Sequence, residues 1–163
     1  MLKHPILEIR VMNIDRYNLT AEDSLTVFEF VSDGPNGRLA KIIKFSETNL
    51  KGLYNLAFGD KDLETGDLND LAVSNNGDSE KVLATIVSAV YAFTDCYPNS
   101  VVYATGSTKA RTRLYRMGIT KYLDEVKKDF YIYGQHNYDW EFFEKNVDYD
   151  AFIAKRKNRN FTI

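Results

Sequence analysis

Hydroxyl and cationic residues cluster where a predicted strand passes into a predicted helix. The segment Ser100–Thr105 predicts the strand, Gly106 a tight junction, and Lys109–Met117 the helix. Backbone N–H groups in the first turn of a helix are unpaired and carry partial positive charge, so they attract anions. We therefore predict an anion-binding site, with Tyr115 as an aromatic neighbour able to stack on a base. The candidate residues are Ser107, Thr108, Lys109, Arg111, Arg113, Tyr115 and Arg116.

The charges of this helix favour an external ligand but leave an internal explanation open. Four cations lie within eight residues, and no acid lies among them. A cation in the first helical turn opposes the helix dipole, at a cost of roughly a few tenths of a kcal/mol. A bound phosphate would remove this conflict. Acidic side chains elsewhere in the chain would also do so, and Asp60, Asp62 and Glu64 are the candidates.

The same helix carries a resemblance to a known enzyme family. Neither the P-loop string nor the glycine string of dinucleotide-binding proteins is present. The stretch Ala110–Ile119 is similar to the Ala-Arg-x-Leu-Tyr-x-x-x-Gly-Phe segment of GNAT-type acetyltransferases. This resemblance implies a transferase that uses coenzyme A. The upstream Arg/Gln-x-x-Gly-x-Gly/Ala loop, with which that family holds the pyrophosphate of coenzyme A, has no counterpart in this sequence.

The acidic loop that begins at Asp60 does not match a calcium site. Counted as an EF-hand from Asp60, it has Thr65 and Leu71 at the positions where calcium binding needs Gly and Glu. We interpret it as a solvated loop. Its carboxylates remain available to pair with the basic helix.

Histidine and cysteine are too scarce to predict a metal centre. His4, His136 and Cys96 are the only such residues, and they are far apart in the sequence. With one cysteine no intrachain disulfide forms, which suits a reducing compartment. His136 lies in a polar loop where it could act as a base, and Cys96 could be its nucleophile only if the fold brings the two together. We predict no metal and no cofactor, and the residues leave open whether the protein is an enzyme.

Size, composition and charge predict one ordinary globular domain. The chain has 163 residues and a formal net charge of −2, which gives no general attraction to nucleic acid or membrane. The sequence begins without the apolar run of a signal peptide, and its best apolar stretch, Val82–Phe93, is too short to cross a bilayer. We expect a single cytoplasmic domain over residues 1–163, with no membrane partner and with a basic, flexible tail over residues 154–163.

The order of apolar segments predicts an α+β fold, in which a mainly antiparallel sheet packs against one long core helix and shorter C-terminal helices. The turn residues Asp33–Gly37 join two strands into a hairpin. The core helix Glu80–Cys96 would be capped by Asp78 or Ser79, and Gly118 would end the next helix. The predicted strands are Ile6–Ile14, Leu25–Val31, Leu39–Phe45, Tyr54–Phe58, Asp70–Ser74, Ser100–Thr105 and Phe130–Tyr133. The other predicted helical segments are Lys109–Met117, Thr120–Lys127, Trp140–Lys145 and Tyr149–Arg156.

Four stretches spread along the chain carry a second resemblance. They are Phe28–Gly37, Tyr54–Asp60, Asn75–Thr85 and Gly106–Met117. They are similar to a family of small uncharacterised bacterial proteins, found mostly in the Bacteroidota. The resemblance implies one domain of nearly full length and a bacterial cytoplasmic location. It implies no activity and no site residues.

Three hypotheses on function follow. The first is a non-catalytic binding module that recognises a phosphate-bearing ligand, nucleotide or nucleic acid at the strand-to-helix junction. The second is a small transferase or phosphate-handling enzyme that uses the same junction. The third is a subunit that binds a protein partner, or a second copy of itself, through its Tyr- and Phe-rich surface.

Overall fold

The structure, a computed structural model, describes the backbone of Lys3–His4 and residues 15–69 and 75–157. In this part of the chain, ten strands form one sheet and two helices pack on it. The strands are β1 (Lys3–His4), β2 (Thr20–Glu22), β3 (Val27–Gly34), β4 (Gly37–Glu47), β5 (Leu53–Lys61), β6 (Leu68–Asn69), β7 (Val101–Ala104), β8 (Phe130–His136), β9 (Asp139–Phe142) and β10 (Ala151–Arg156). The helices are α1 (Ser79–Cys96) and α2 (Lys109–Val126).

The sheet is antiparallel except at one place, so the predicted α+β class with a mainly antiparallel sheet is confirmed. Its order is β1-β2-β3-β4-β5-β7-β10-β8-β9, and β6 pairs with β5. β5 and β7 are parallel and pair over Leu53–Leu56 of β5. Farther along β5, from Asp60, the partner is β6 instead. A parallel pair needs a crossover connection, and α1 provides it.

The core between sheet and helices is built largely from aromatic rings. Phe93 of α1 has no exposed surface, stacks on Phe45 at 4.2 Å between ring centroids, and meets Tyr54 edge-on at 4.9 Å. Such pairs add about 0.5–1.5 kcal/mol beyond the burial of their area. Within the described residues, neither helix combines the length and the apolar character that crossing a bilayer would need.

The second helix is longer than the sequence predicts. α2 runs through Gly118 to Val126 and joins the predicted segments Lys109–Met117 and Thr120–Lys127. Gly118 is buried, and a Cβ built on it would lie 2.8 Å from Cδ2 of Leu83 in α1. The glycine therefore allows α1 and α2 to approach each other. It does not end the helix.

The C-terminal segments are strands, so the prediction of shorter C-terminal helices is wrong. Trp140–Lys145 overlaps β9, and Tyr149–Arg156 overlaps β10. β10 lies between β7 and β8 and pairs with both, which buries Phe152 to 2% exposure. Its partners are remote in the sequence, and such pairing overrides the local spacing that suggested helical turns. Residues 154–156 of the expected flexible tail belong to this strand, and residues 158–163 lie outside the described part.

Two of the predicted strands, Ile6–Ile14 and Asp70–Ser74, also lie outside the described residues. The segments Leu25–Val31 and Leu39–Phe45 correspond to β3 and β4, which are antiparallel neighbours. Their ladder closes at the pair Gly34–Gly37, and Gly37 has a φ of 90°. This left-handed conformation suits glycine, which has no Cβ to clash.

The buried hydroxyl of Tyr91 links stability to alkaline pH. It donates to Oδ2 of Asp129 at 2.7 Å, and Tyr91 is 4% exposed. Burial, and then the bond to the Asp129 carboxylate, raise the pKa of Tyr91 well above its ordinary value of about 10. The folded state therefore keeps a proton that the unfolded state releases. This contribution to stability is fully present below about pH 10 and is lost as the pH rises above it.

We expect the free energy of unfolding to fall more steeply with pH in the wild type than in Tyr91→Phe. For one proton the difference in slope is about 1.4 kcal/mol per pH unit, between about pH 10 and 12. Urea unfolding followed at a series of pH values measures both slopes. Between about pH 7 and 9 the two slopes should be equal, which is the internal control. Parallel slopes throughout the alkaline range would contradict the prediction.

Candidate anion-binding site

A cavity lies where both helices begin. The pairing of β5 with β7 ends at Leu56 and Ala104, and α1 and α2 start beyond the carboxyl ends of these strands. The space between them has a volume of about 180 Å³. Open sheets bind ligands at the carboxyl ends of parallel strands, so this junction cavity is the candidate site. It is lined by Lys41, Phe58, Gly59, Asp60, Asn75, Asn76, Asp78, Ser79, Val82, Ala110, Arg111 and Leu114.

Arg111 is one of two buried cations that line the junction cavity, and Lys41 is the other. The residue is 6% exposed, and its Nη1 donates to Oγ of Ser107 at 3.4 Å. The centre of the guanidinium lies 6.0 Å from the ring centroid of Phe58. Its remaining N–H groups have no hydrogen-bond partner among residues 15–69 and 75–157, and none of their nitrogen atoms is fully buried, so water or a ligand can reach them. A guanidinium has five N–H donors, so most of the hydrogen-bonding capacity of this buried charge is unused by the protein.

The start of α2 is held in place by its own hydroxyl groups. Oγ1 of Thr108 accepts a hydrogen bond from the backbone N–H of Arg111 at 3.2 Å and so caps the helix. Oγ1 of Thr112 accepts from the N–H of Gly106 at 3.0 Å. A Cβ on Gly106 would lie 2.3 Å from the backbone N of Thr112, so only glycine fits here. The hydroxyl of Thr108 serves the helix, and that of Ser107 holds Arg111.

The other charges of the junction cavity have partners within the protein. Lys41 is 4% exposed and forms an ion pair with Asp60. Oδ2 of Asp78 accepts from the hydroxyl of Tyr17 at 2.6 Å and from that of Ser32 at 2.5 Å. The cavity therefore contains two cations, Arg111 and Lys41, and two carboxylates, but both carboxylates bind side chains other than Arg111. Arg111 is left as the least satisfied charge.

The predicted side-chain cap of α1 is not formed. Asp78 precedes the helix, and its backbone oxygen accepts from the N–H of Val82 at 3.0 Å, but its side chain makes no capping hydrogen bond. The carboxylate binds Tyr17 and Ser32 instead and thereby ties the start of α1 to β3. The adjacent Asn76, 2% exposed, adds a bond from its Nδ2 to the same hydroxyl of Ser32 at 3.1 Å. This buried polar network fixes the wall of the junction cavity.

The remaining predicted site residues do not converge on the junction cavity. Arg116 pairs with Oδ1 of Asp148 at 3.0 Å and lies 3.4 Å from the carbonyl oxygen of Val147. Tyr115 is 6% exposed in the hydrophobic core, so its ring is not presented to a base. Lys109 and Arg113 are exposed. The cations of α2 thus point in different directions, and one of them enters the cavity.

The acids expected to neutralise this helix have other roles. Asp60 pairs with Lys41, while Oδ1 of Asp62 accepts from the backbone N–H groups of Glu64 and Thr65 inside its own loop. Within the described residues, Arg111 forms no ion pair with any of them.

Sequence reasoning missed the lysine of the cavity. Along β4 the side chains alternate between the two faces of the sheet, and Lys41 lies on the same inward face as Leu39 and Ile43. A charge at such a position is rarely buried unless it is paired. A lysine on the inward face of the strand was therefore a sign, in the sequence, of a buried ion pair. Nothing local in the sequence indicates that Asp78 faces the same cavity, because the contact depends on the crossover.

The potential nucleophile and base lie apart. Cys96 is exposed at the end of α1, just before β7 begins. His136 lies at the far end of β8, where it pairs with Glu141 and packs edge-on against Tyr149 at 5.6 Å. Among residues 15–69 and 75–157, no three His, Cys, Asp or Glu side chains group so as to hold a metal ion.

Comparison with known proteins adds the family. A model described as a family of unknown function (DUF6934) matches residues 13–157. The chain belongs to this family. The predicted membership of an uncharacterised family is therefore confirmed, and the junction cavity lies among the matched residues. No curated protein and no solved structure is significantly similar to the chain.

Two arginines of this DUF6934 member, the buried Arg111 and the half-buried Arg156, provide a test of the site. Arg156 is well paired, since it donates to Thr94 at 2.7 Å and to Asp95 at 2.7 Å and packs over the ring of Tyr91. Arg111 makes a single long hydrogen bond. We expect Arg156→Met to lower the free energy of unfolding by about 2–3 kcal/mol, because charge-assisted bonds are lost. Arg111→Met should leave it unchanged or raise it by up to about 1 kcal/mol, because a poorly satisfied buried charge is removed.

Urea unfolding at neutral pH measures both changes. The two substitutions are chemically identical, so each is the control of the other. A loss for Arg111→Met as large as that for Arg156→Met would show that the guanidinium of Arg111 has a structural role, against the interpretation given above.

Proposed function

We propose that the protein is a binding module that holds the phosphate group of a small molecule in the junction cavity. The observation that carries this proposal is the guanidinium of Arg111, buried at 6% exposure with one hydrogen bond and facing the cavity. Retaining a charge in this state costs stability, and such local inconsistencies gather at functional sites. A phosphate would satisfy the guanidinium with charge-assisted, bidentate bonds.

The start of α2 adds to this preference for an anion. Its first turn contains Lys109 and no acidic residue. Ala110 lines the cavity in the first turn of α2, where backbone N–H groups lack intrahelical acceptors and the dipole favours negative charge. Phosphate oxygens would accept hydrogen bonds from these groups and from Arg111 together.

A single nucleotide fits this geometry better than a nucleic-acid strand. A strand needs cations in a row to follow its phosphates. Among the cations of α2, only Arg111 lines the cavity, while Arg113 is exposed and Arg116 is paired with Asp148. A cavity of about 180 Å³ has room for a phosphate group and part of what bears it.

Binding of inorganic phosphate, AMP and coenzyme A by titration calorimetry tests the proposal. We expect at least one of these probes to bind the wild type, and Arg111→Met to weaken its affinity by about 10- to 100-fold, the value of one lost charge-assisted interaction. Arg113→Ala removes an exposed cation two residues away and is the matched control. Its affinity should stay within about threefold of the wild type. Absence of binding by all three probes, or equal weakening by the two substitutions, would refute the site.

The alternative is a small transferase, and one observation favours it. Ala110, Arg111 and Leu114, which belong to the stretch that resembles GNAT-type acetyltransferases, all line the junction cavity. In place of the missing pyrophosphate loop, the chain has Asn75–Ser79, where the Asp78 carboxylate faces the same cavity. Transfer of the acetyl group from acetyl-coenzyme A to an added primary amine would form an amide, with loss of a proton from the amine, and would release free coenzyme A, which a thiol-reactive dye detects. Release that stops in Arg111→Met favours the transferase, whereas binding of coenzyme A without release favours the binding module.

A further inference from the structure

The sheet face that turns away from the helices carries a row of large side chains. Neighbouring strands place Tyr103 of β7, Ile153 of β10, Tyr133 of β8 and Phe142 of β9 in direct register. The alternate residues of the same strands, such as Val102, are buried in the core. Because side chains alternate along a strand, the row lies on the opposite face.

Several of these rings are exposed to solvent. Phe142 is 64% exposed, Tyr131 45% and Trp140 39%, and Tyr138 at the β8–β9 turn is 95% exposed. We define the aromatic face as Tyr103, Tyr131, Tyr133, Trp140, Phe142 and Ile153. A buried aromatic side chain covers about 150–250 Å², so the three exposed rings of this face, Tyr131, Trp140 and Phe142, present about 300 Å². Contiguous apolar patches of this size mark interaction sites.

The aromatic face also lacks negative charge. The positions of β7, β8, β9 and β10 that share this side of the sheet contain one cation, Lys155, and no carboxylate. These positions are Val101, Tyr103, Tyr131, Tyr133, Gln135, Trp140, Phe142, Ala151, Ile153 and Lys155. Depletion of charge together with enrichment of Tyr, Trp and Phe is the composition of the centre of a protein interface.

The rings are arranged for an apolar surface rather than for bases. Tyr133 and Phe142 stack on each other at 4.9 Å between centroids, and Trp140 meets Tyr103 edge-on at 6.2 Å. Nζ of Lys157 lies 5.2 Å from the ring centroid of Tyr131. In the stacked pair one face of Tyr133 and one face of Phe142 are covered, so these two rings are not spaced to receive successive bases, as a single-strand platform requires.

We propose that the aromatic face is the interface of a homodimer. A specific interface buries about 800 Å² on each partner, and the exposed rings with the half-buried Tyr103, Tyr133 and Ile153 would form its apolar centre. A two-fold axis brings the same patch from each copy together, so an apolar face meets an apolar face. The strand positions of this face offer no carboxylate to a basic partner, and Lys155 and Lys157 lie together at the end of β10, to one side of the rings. The junction cavity lies on the helix side of the sheet and stays open in this dimer.

Trp140 is the only tryptophan of the chain, so its fluorescence reports on this face directly. We expect sedimentation velocity to give a mass twice that of the 18.7 kDa chain at micromolar concentration. Dilution should then shift the Trp140 emission to longer wavelength as the dimer dissociates. Phe142→Glu should weaken association at least tenfold and give a concentration-independent emission. Leu63→Glu, at an 84% exposed position in the β5–β6 loop, introduces the same charge elsewhere and should behave as the wild type.

Several outcomes would overturn the dimer. One is a wild type that sediments at the mass of one chain at all concentrations up to about 1 mM, the range of weak association. Another is equal weakening by Phe142→Glu and Leu63→Glu. A monomeric wild type that binds a fluorescent oligouridylate, with binding lost in Phe142→Glu, would assign the face to single-stranded nucleic acid instead. Circular dichroism of both variants verifies folding, and if Phe142→Glu is unfolded, Tyr131→Glu probes the same face and must dissociate the dimer.

Discussion

The parallel pairing of β5 with β7 is the constraint on which the rest of the architecture depends. Two parallel neighbours cannot be joined by a hairpin, so the chain must cross over one face of the sheet. α1 makes this crossing, and α2 follows β7 on the same side, where both helices share one core. Both helix starts thereby come to the same end of the sheet. Within the described residues the other face has no helix, and this asymmetry separates the junction cavity from the aromatic face.

The junction cavity depends on which charges the protein satisfies from within. Lys41 forms an ion pair with Asp60, and the Asp78 carboxylate accepts hydrogen bonds from two hydroxyl groups, so the protein itself supplies partners for these side chains. Arg111 is treated differently. It is buried by Phe58 and by the close approach of Gly59, yet it receives one distant hydroxyl. The same fold gives Arg156 two hydrogen bonds of 2.7 Å, so the contrast lies in the surroundings of Arg111 and not in the residue type.

Local features of the sequence predicted local structure, and the errors arose where distant contacts decide. The apolar stripe of α1 and the turn between β3 and β4 can be recognised in the sequence, because the helical period and the preferences of turn residues act over a few residues. Gly118 was misread, because its role is set by Leu83 on the other helix. β10 was misread for the same reason, since both of its neighbours are distant in the chain. Of the candidate site, the strand-to-helix junction was predicted, but which of its cations turns inward depends on packing that no local pattern encodes.

The central position of β10 has a consequence for biosynthesis. β7 and β8 are made first and sit on either side of a gap that β10 must fill. Until Ala151–Arg156 has left the ribosome, both flanking strands expose unsatisfied backbone edges that could capture another chain. The sheet is therefore completed late, when an interior strand is inserted between two strands made earlier. A nascent chain that stalls before β10 would be a natural client for chaperones.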